Sequence, residues 1–256
     1  MSAQILAVAN QKGGVGKTTT TVNLAASLAS KGRRVLVVDL DPQGNATTGS
    51  GINKATIENG VYQVVLGETD IPNAVVRSKE GGYDVLGANR TLAGAEVELV
   101  QEIAREIRLK NALQLVADDY DYVLIDCPPS LTLLTLNGLV AANGVIVPML
   151  CEYYALEGIS DLVATVRKIR QAINPDLDVT GIVRTMYDSR SRLVVEVSEQ
   201  LKQHFGNLLF HTVIPRNIRL AEAPSHGLPA LAYDAHAKGT QAYLDLADEL
   251  IARLEK

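Results

Sequence analysis

The 256-residue chain contains no tryptophan, two phenylalanines and two cysteines. Its core must therefore be assembled from Val, Leu, Ile and Ala rather than from large rings. Cys127 and Cys151 are too few for a disulfide framework and lack metal-ligand spacing, which excludes a cysteine-held cluster as the organising feature. They fit a reducing compartment. The longest apolar runs, such as 145–150, are far too short to span a bilayer. The first four residues lead straight into an apolar stretch, so no signal peptide is expected. Positive charge is also scarce: 24 Lys and Arg stand against 29 Asp and Glu, a net charge of −5. Any contact with a polyanion must come from a local patch.

What remains is an aliphatic chain with alternating patterns. Near-continuous Val/Ile/Leu runs at 5–9, 35–39, 83–87, 122–126, 145–149, 179–185 and 208–214 read as strands buried on both faces. Helical spacing of apolar residues marks 18–31, 96–117, 156–173, 193–205 and 237–254, with Gly32 placed to end the first helix. The order predicts a doubly wound α/β fold: a mostly parallel sheet with helices on both faces, which places ligands at the carboxyl ends of strands. No linker, repeat or low-complexity segment divides the chain, so residues 1–256 are expected to form a single domain. The glycine-rich stretch 44–60 reads as a mobile loop.

The first strand runs into Asn10-Gln11-Lys12-Gly13-Gly14-Val15-Gly16-Lys17-Thr18-Thr19. A glycine-rich loop between strand and helix is the setting of a phosphate-binding P-loop. Its glycines let backbone N–H groups approach an anion, and the helix N-terminus adds partial positive charge. Lys17 suits the β/γ-phosphates, and the Thr18 hydroxyl suits Mg²⁺. Two departures stand out. Gln11 occupies a position where the standard motif has glycine, and a second lysine, Lys12, precedes the glycine pair. Such a lysine need not serve its own nucleotide; supplied across a dimer interface it would act as an arginine finger does.

Two acidic segments close apolar strands. Asp126, in Ile125-Asp126-Cys127-Pro128-Pro129, fits the aspartate that holds Mg²⁺ beside a P-loop, and the two prolines make a stiff turn. Asp41, in Asp39-Leu40-Asp41-Pro42-Gln43-Gly44-Asn45, is then free to orient the attacking water.

These three segments resemble the deviant Walker A, Walker A′ and Walker B motifs of the ParA/MinD ATPases. The stretches Glu152-Tyr153-Tyr154-Ala155-Leu156-Glu157-Gly158 and Ile214-Pro215-Arg216-Asn217-Ile218-Arg219 resemble its chromosomal ParA (Soj) branch. The resemblance implies a DNA-partitioning ATPase using ATP and Mg²⁺. ATP would bind at Lys12, Gly13, Gly14, Val15, Gly16, Lys17, Thr18 and Thr19, with the base near Pro215 and Asn217. It would drive a sandwich homodimer in which Lys12 reaches the partner's nucleotide. The dimer would bind double-stranded DNA non-specifically, and a ParB-type partner would stimulate hydrolysis. By the same resemblance Arg190 and Arg219 are the DNA contacts, with Arg216 shared between DNA and base, and the protein is expected in the cytoplasm on the nucleoid.

Charge placement agrees with that implication. Residues 184–219 hold six Arg/Lys and three Asp/Glu, a net +3, which leaves −8 for the rest of the chain. Arg184 and Arg192 read equally well as solvated surface charges. The last helix is amphipathic, but its polar face is mostly acidic, which disfavours an anionic membrane. A metabolic phosphotransferase or ligase would leave Lys12 and the basic segment unexplained.

Overall fold

The computed structural model describes residues 3–255. Eight strands form one sheet: β1 (Gln4–Val8), β2 (Val35–Asp39), β3 (Val75–Ser78), β4 (Tyr83–Leu86), β5 (Tyr122–Asp126), β6 (Gly144–Leu150), β7 (Asp178–Tyr187) and β8 (Leu209–Pro215). Their spatial order is β3-β4-β2-β5-β1-β6-β7-β8, and every pairing is parallel except β3 with β4. The helices are α1 (Lys17–Ser30), α2 (Asn45–Gly49), α3 (Val61–Leu66), α4 (Ile71–Ala74), α5 (Leu92–Glu98), α6 (Arg108–Gln114), α7 (Leu133–Ala141), α8 (Ala155–Ala172), α9 (Arg192–Phe205), α10 (Ile218–Glu222), α11 (Ala230–Tyr233) and α12 (Lys238–Leu254).

The strand pattern explains the layers. Successive side chains point to opposite faces. Val35, Val37, Tyr122, Leu124 and Ile146 join the cluster under α1 and α12, while Leu36, Val38, Val123, Ile125, Val145 and Val147 join the one under α3 and α5 to α9. On the central strands β2 and β5 both faces are dry, so these strands are apolar up to their closing aspartates. Gly32 (φ 79°) closes α1, where its N–H reaches the Ala29 carbonyl and Arg33 N–H reaches that of Leu28.

Two sequence expectations fail here. Residues 96–117 do not form one helix. The chain breaks between α5 and α6 with Ala104 in the left-handed region (φ 56°), leaving Val100 57% and Ile103 88% exposed. The cause is tertiary: the buried Asn137 side chain of α7 accepts from Leu109 N–H (3.2 Å) and donates to the Arg105 carbonyl (2.7 Å), starting a new helix at α6. Asn137→Ala would strand both groups without partners. It is expected to lower unfolding free energy by about 2–4 kcal/mol, read from urea denaturation. Nor is 44–60 an unstructured loop. It contains α2 and a short 3₁₀ turn at Lys54–Thr56, and it is fastened to the sheet through Asp39.

Candidate nucleotide and metal site

Parallel pairing sets the site. Val8 lies opposite Asp126 in β5, and Asp39 lies opposite Asp126 on its other side. The end of β1, the start of the P-loop and two carboxylates therefore meet at one sheet edge, next to the strand-order reversal.

The P-loop turns through Gly14 (φ 73°) and Gly16 (φ 89°), left-handed conformations that favour glycine. It is tied down from two strands. The Asn10 side chain donates to the Pro148 carbonyl of β6 (2.8 Å) and accepts from Lys12 N–H (2.9 Å). The Thr185 hydroxyl of β7 lies 2.7 Å from the Val15 carbonyl and 3.0 Å from that of Met149. Lys17, 8% exposed, donates its ammonium to the Lys12 carbonyl (3.1 Å). Burial lowers its pKa, opposed by the charge of Asp126. A phosphate in the loop would restore the counter-charge that burial withholds.

Asp126 is buried and fully engaged. Thr18 donates to one oxygen (2.7 Å), and Thr21 lies 3.2 Å from the other. Burial, reinforced by Asp39 alongside, pushes its pKa up to about 8. A hydroxyl against a carboxylate that resists carrying its charge alone is a hard-oxygen donor set suited to Mg²⁺. Among the described residues no group of three or more His, Cys, Asp or Glu side chains could hold an ion. Thr18 and Asp126 would thus share Mg²⁺ with phosphate oxygens and water, as Mg²⁺ sites commonly do. The bound ion would stabilise negative charge on the phosphates.

Asp39 organises the Asp41 segment. Its carboxylate accepts from Thr47 N–H (2.8 Å), the Thr47 hydroxyl (2.7 Å) and Asp41 N–H (3.2 Å). Burial raises its pKa to about 6 against the pull of the Thr47 bonds. Gly44 (φ 63°) completes the turn, and a Cβ there would sit 2.6 Å from the Ala88 carbonyl. Asp41 itself is only partly buried and accepts a local bond from Gln43 N–H (2.9 Å). It follows by two residues the strand end that lies opposite Asp126.

Beyond the loop lies a cavity of about 330 Å³ walled by Gly16, Thr19, Thr185, Met186, Ile214, Pro215, Asn217 and Tyr243. Pro215, Arg216 and Asn217 thus share one cavity with the P-loop, although some 200 residues separate them in sequence. Asn217 caps α10 with its side-chain oxygen, accepting from Arg219 N–H (2.9 Å), and lines the cavity. Met186 sits in the left-handed region (φ 49°), a strained backbone on the cavity wall.

The cations divide sharply. Lys12 is exposed and ion-paired with Glu152, on the turn after β6. Arg190 is 88% exposed, and two of its nitrogens meet the Asp188 carboxylate (2.9 and 2.8 Å), which pulls that acid down to about 2. Arg219 pairs with Glu222 (2.9 Å) and Asp234 (3.2 Å). Arg216 is exposed at the cavity rim, and Arg192 is exposed at the start of α9. Arg184 faces inward, donating to Ser198 and to the carbonyls of Phe210 and His211. It is a structural residue of β7 and β8.

Asn10, Asp39, Thr185, Met186 and Glu152 carry no role in the sequence reading. Asp39 closes its strand as Asp126 does, and Asn10 and Glu152 stand inside motif stretches, whereas Thr185 and Met186 leave no sequence trace. Apart from Asp39, they matter because of neighbours from distant strands.

A family model described as an AAA domain matches residues 3–179. The chain is similar to the chromosome-partitioning ATPase Soj of Thermus thermophilus, 50% identical over 98% of this chain and 96% of that one. It is also similar to the chromosome partitioning protein ParA of Caulobacter vibrioides, 48% identical over 98% and 94%. A solved structure, named cobyrinic acid a,c-diamide synthase from Mycobacterium smegmatis and holding ADP and magnesium, superposes with a TM-score of 0.87. It is 40% identical over 99% of this chain and 96% of that one.

Proposed function

The chain belongs to the ParA/MinD family of deviant Walker ATPases, in its chromosomal ParA (Soj) branch, and on that premise we propose a nucleotide-gated partitioning cycle for it. It is a partitioning ATPase that hydrolyses ATP to ADP and phosphate with Mg²⁺ as cofactor. ATP binds along residues 12–19, with its base against Pro215 and Asn217, and Thr18 and Asp126 hold the ion. Asp41 orients the attacking water. ATP closes two copies into a sandwich dimer, in which the Lys12 of each neutralises charge at the other's nucleotide. The same reading takes the chain as one ATPase domain, because a single sheet supports both the P-loop and the base cavity.

The observation that carries this reading is the division between the two lysines. Lys17 is buried inside its own loop, while the Lys12 ammonium lies outside it, exposed and held by Glu152. A cation built into a P-loop but directed out of it suits a neighbour's phosphate.

The dimer binds double-stranded DNA through Arg190, Arg219 and Arg216, without sequence preference, and a ParB-type partner stimulates hydrolysis and releases it. The protein then resides in the cytoplasm on the nucleoid. Among the described residues no helix is long and apolar enough to cross a membrane. Arg190 and Arg219 each carry own-chain carboxylates that DNA phosphate must displace. A single copy therefore binds weakly, and two copies gain through effective concentration. Arg190→Ala is expected to weaken binding about three- to tenfold on every duplex tested. It should also lower the salt slope by about one per lost phosphate contact, read from titrations at several ionic strengths.

The test of the whole cycle is duplex binding by the Asp41→Ala protein at low and moderate salt, with ATP and with ADP. Salt-sensitive, sequence-indifferent binding with ATP alone is expected. Equal binding in both states would detach nucleotide from DNA. Strict dependence of ATP turnover on a small acceptor substrate would instead favour the synthase activity that the name of the mycobacterial structure raises.

A further inference from the structure

We propose that Glu152 is a positioning residue for Lys12: it holds the lysine on its own chain in the resting monomer and gives it up when the ATP dimer forms. The inference rests on the cross-subunit role of Lys12 proposed above. Every other part of Lys12 is already fixed. Its N–H is held by Asn10, itself anchored on β6, and its carbonyl accepts the Lys17 ammonium. Only the side chain is free to swing, and among the described residues its one partner is the Glu152 carboxylate.

Glu152 is well placed to respond to nucleotide. Its turn is short: Glu152 N–H reaches the Leu150 carbonyl (3.0 Å), and Ala155 N–H reaches that of Glu152 (2.9 Å). Glu152 lines a second cavity of about 210 Å³, and Thr185, Met186 and Arg216 wall both this cavity and the base cavity. One of the three, Met186, has strained backbone. Glu152 thus sits one wall away from the cavity proposed for the base. Both partners of the pair are about half exposed, so the pair is weak and exchangeable, as a releasable latch requires. Until released, the ammonium is neutralised by its own chain and offers less charge to a facing phosphate.

The test compares the parent with Glu152→Gln, which keeps shape and removes charge. In the nucleotide-free protein, competitive acetylation read by mass spectrometry should show Lys12 about two- to fivefold more reactive relative to Lys79. In sedimentation velocity with ATP and Mg²⁺, half-dimerisation should need about three- to tenfold less protein, since each dimer no longer breaks two pairs. Thermal stability should be unchanged. Unaltered Lys12 reactivity would overturn the latch whatever the dimer does. Raised reactivity with unchanged or weaker dimerisation, in conditions where the parent dimerises, would overturn it too and make Glu152 an interface residue. A parent and variant that both stay monomeric with ATP would overturn the sandwich-dimer reading, and the latch with it.

Discussion

Replacing Lys12 with alanine is expected to lower ATP hydrolysis by about 10³-fold while ATP binding stays within about tenfold of the parent, because a cation supplied to the transferring phosphoryl group is worth that much in comparable sites. The structure explains why the two effects separate. In the proposed site, phosphate is held by the backbone of the loop and by Lys17, which lies buried in it. The Lys12 side chain takes no part in holding the loop; its backbone does, through Asn10 and Lys17. Truncation at Cβ therefore leaves the cradle standing. ATP-dependent dimerisation should be lost together with turnover, since the same ammonium serves both. Single-turnover hydrolysis, nucleotide titration and sedimentation on one preparation would separate the three quantities. Normal dimerisation and turnover would sink the cross-subunit role.

Asp41→Ala is expected to slow hydrolysis by about 10² to 10³-fold and to leave an ATP-bound dimer that accumulates on DNA, as removal of a water-orienting carboxylate does. The loop should survive the change. Asp39, not Asp41, carries its fold, taking three hydrogen bonds from within it. Among the described residues the one bond that the Asp41 side chain makes is local, from Gln43 N–H. Circular dichroism and nucleotide affinity should match the parent, while steady-state phosphate release collapses. If turnover persisted above about a tenth of the parent's, the water-orienting role would pass to another group. The buried Asp39 is not that group while Thr47 occupies its carboxylate.

Much of this site can be read along the chain because its chemistry is local. A P-loop needs its glycines, lysine and threonine consecutively, and Gly14 and Gly16 adopt the left-handed angles that such a turn demands. Asp126 is legible because it closes an apolar strand, and Asp41 because it follows one by two residues. The sheet, too, is legible, since strands buried on both faces must be apolar at every residue. Where reading fails, the deciding partner comes from far away. The stripe Val97, Val100 and Ile103 has helical spacing, yet Asn137 restarts the helix at α6 and leaves those side chains in solvent. Segment 44–60 has the glycines of a flexible loop, yet a buried aspartate outside it supplies the bonds that order it. Arg184 counts toward a basic segment by sequence, but carbonyls from the neighbouring strand β8 claim its guanidinium.

The amino-acid sequence by itself determined the fold class, the phosphate loop and the two acidic strand ends, because each follows from consecutive residues and the geometry of a single strand or turn. The tertiary structure decided which distant groups complete them. Parallel register set Asp39 beside Asp126, where its charge adds to the burial that raises the Asp126 pKa. The sheet order carried Pro215, Asn217 and Met186 to the cavity behind the P-loop. The turn after β6 brought Glu152 to the one lysine whose side chain the loop itself does not use. Charge and hydrogen-bond partnership depend on separation in space, and the chain sets that separation only when all eight strands are paired.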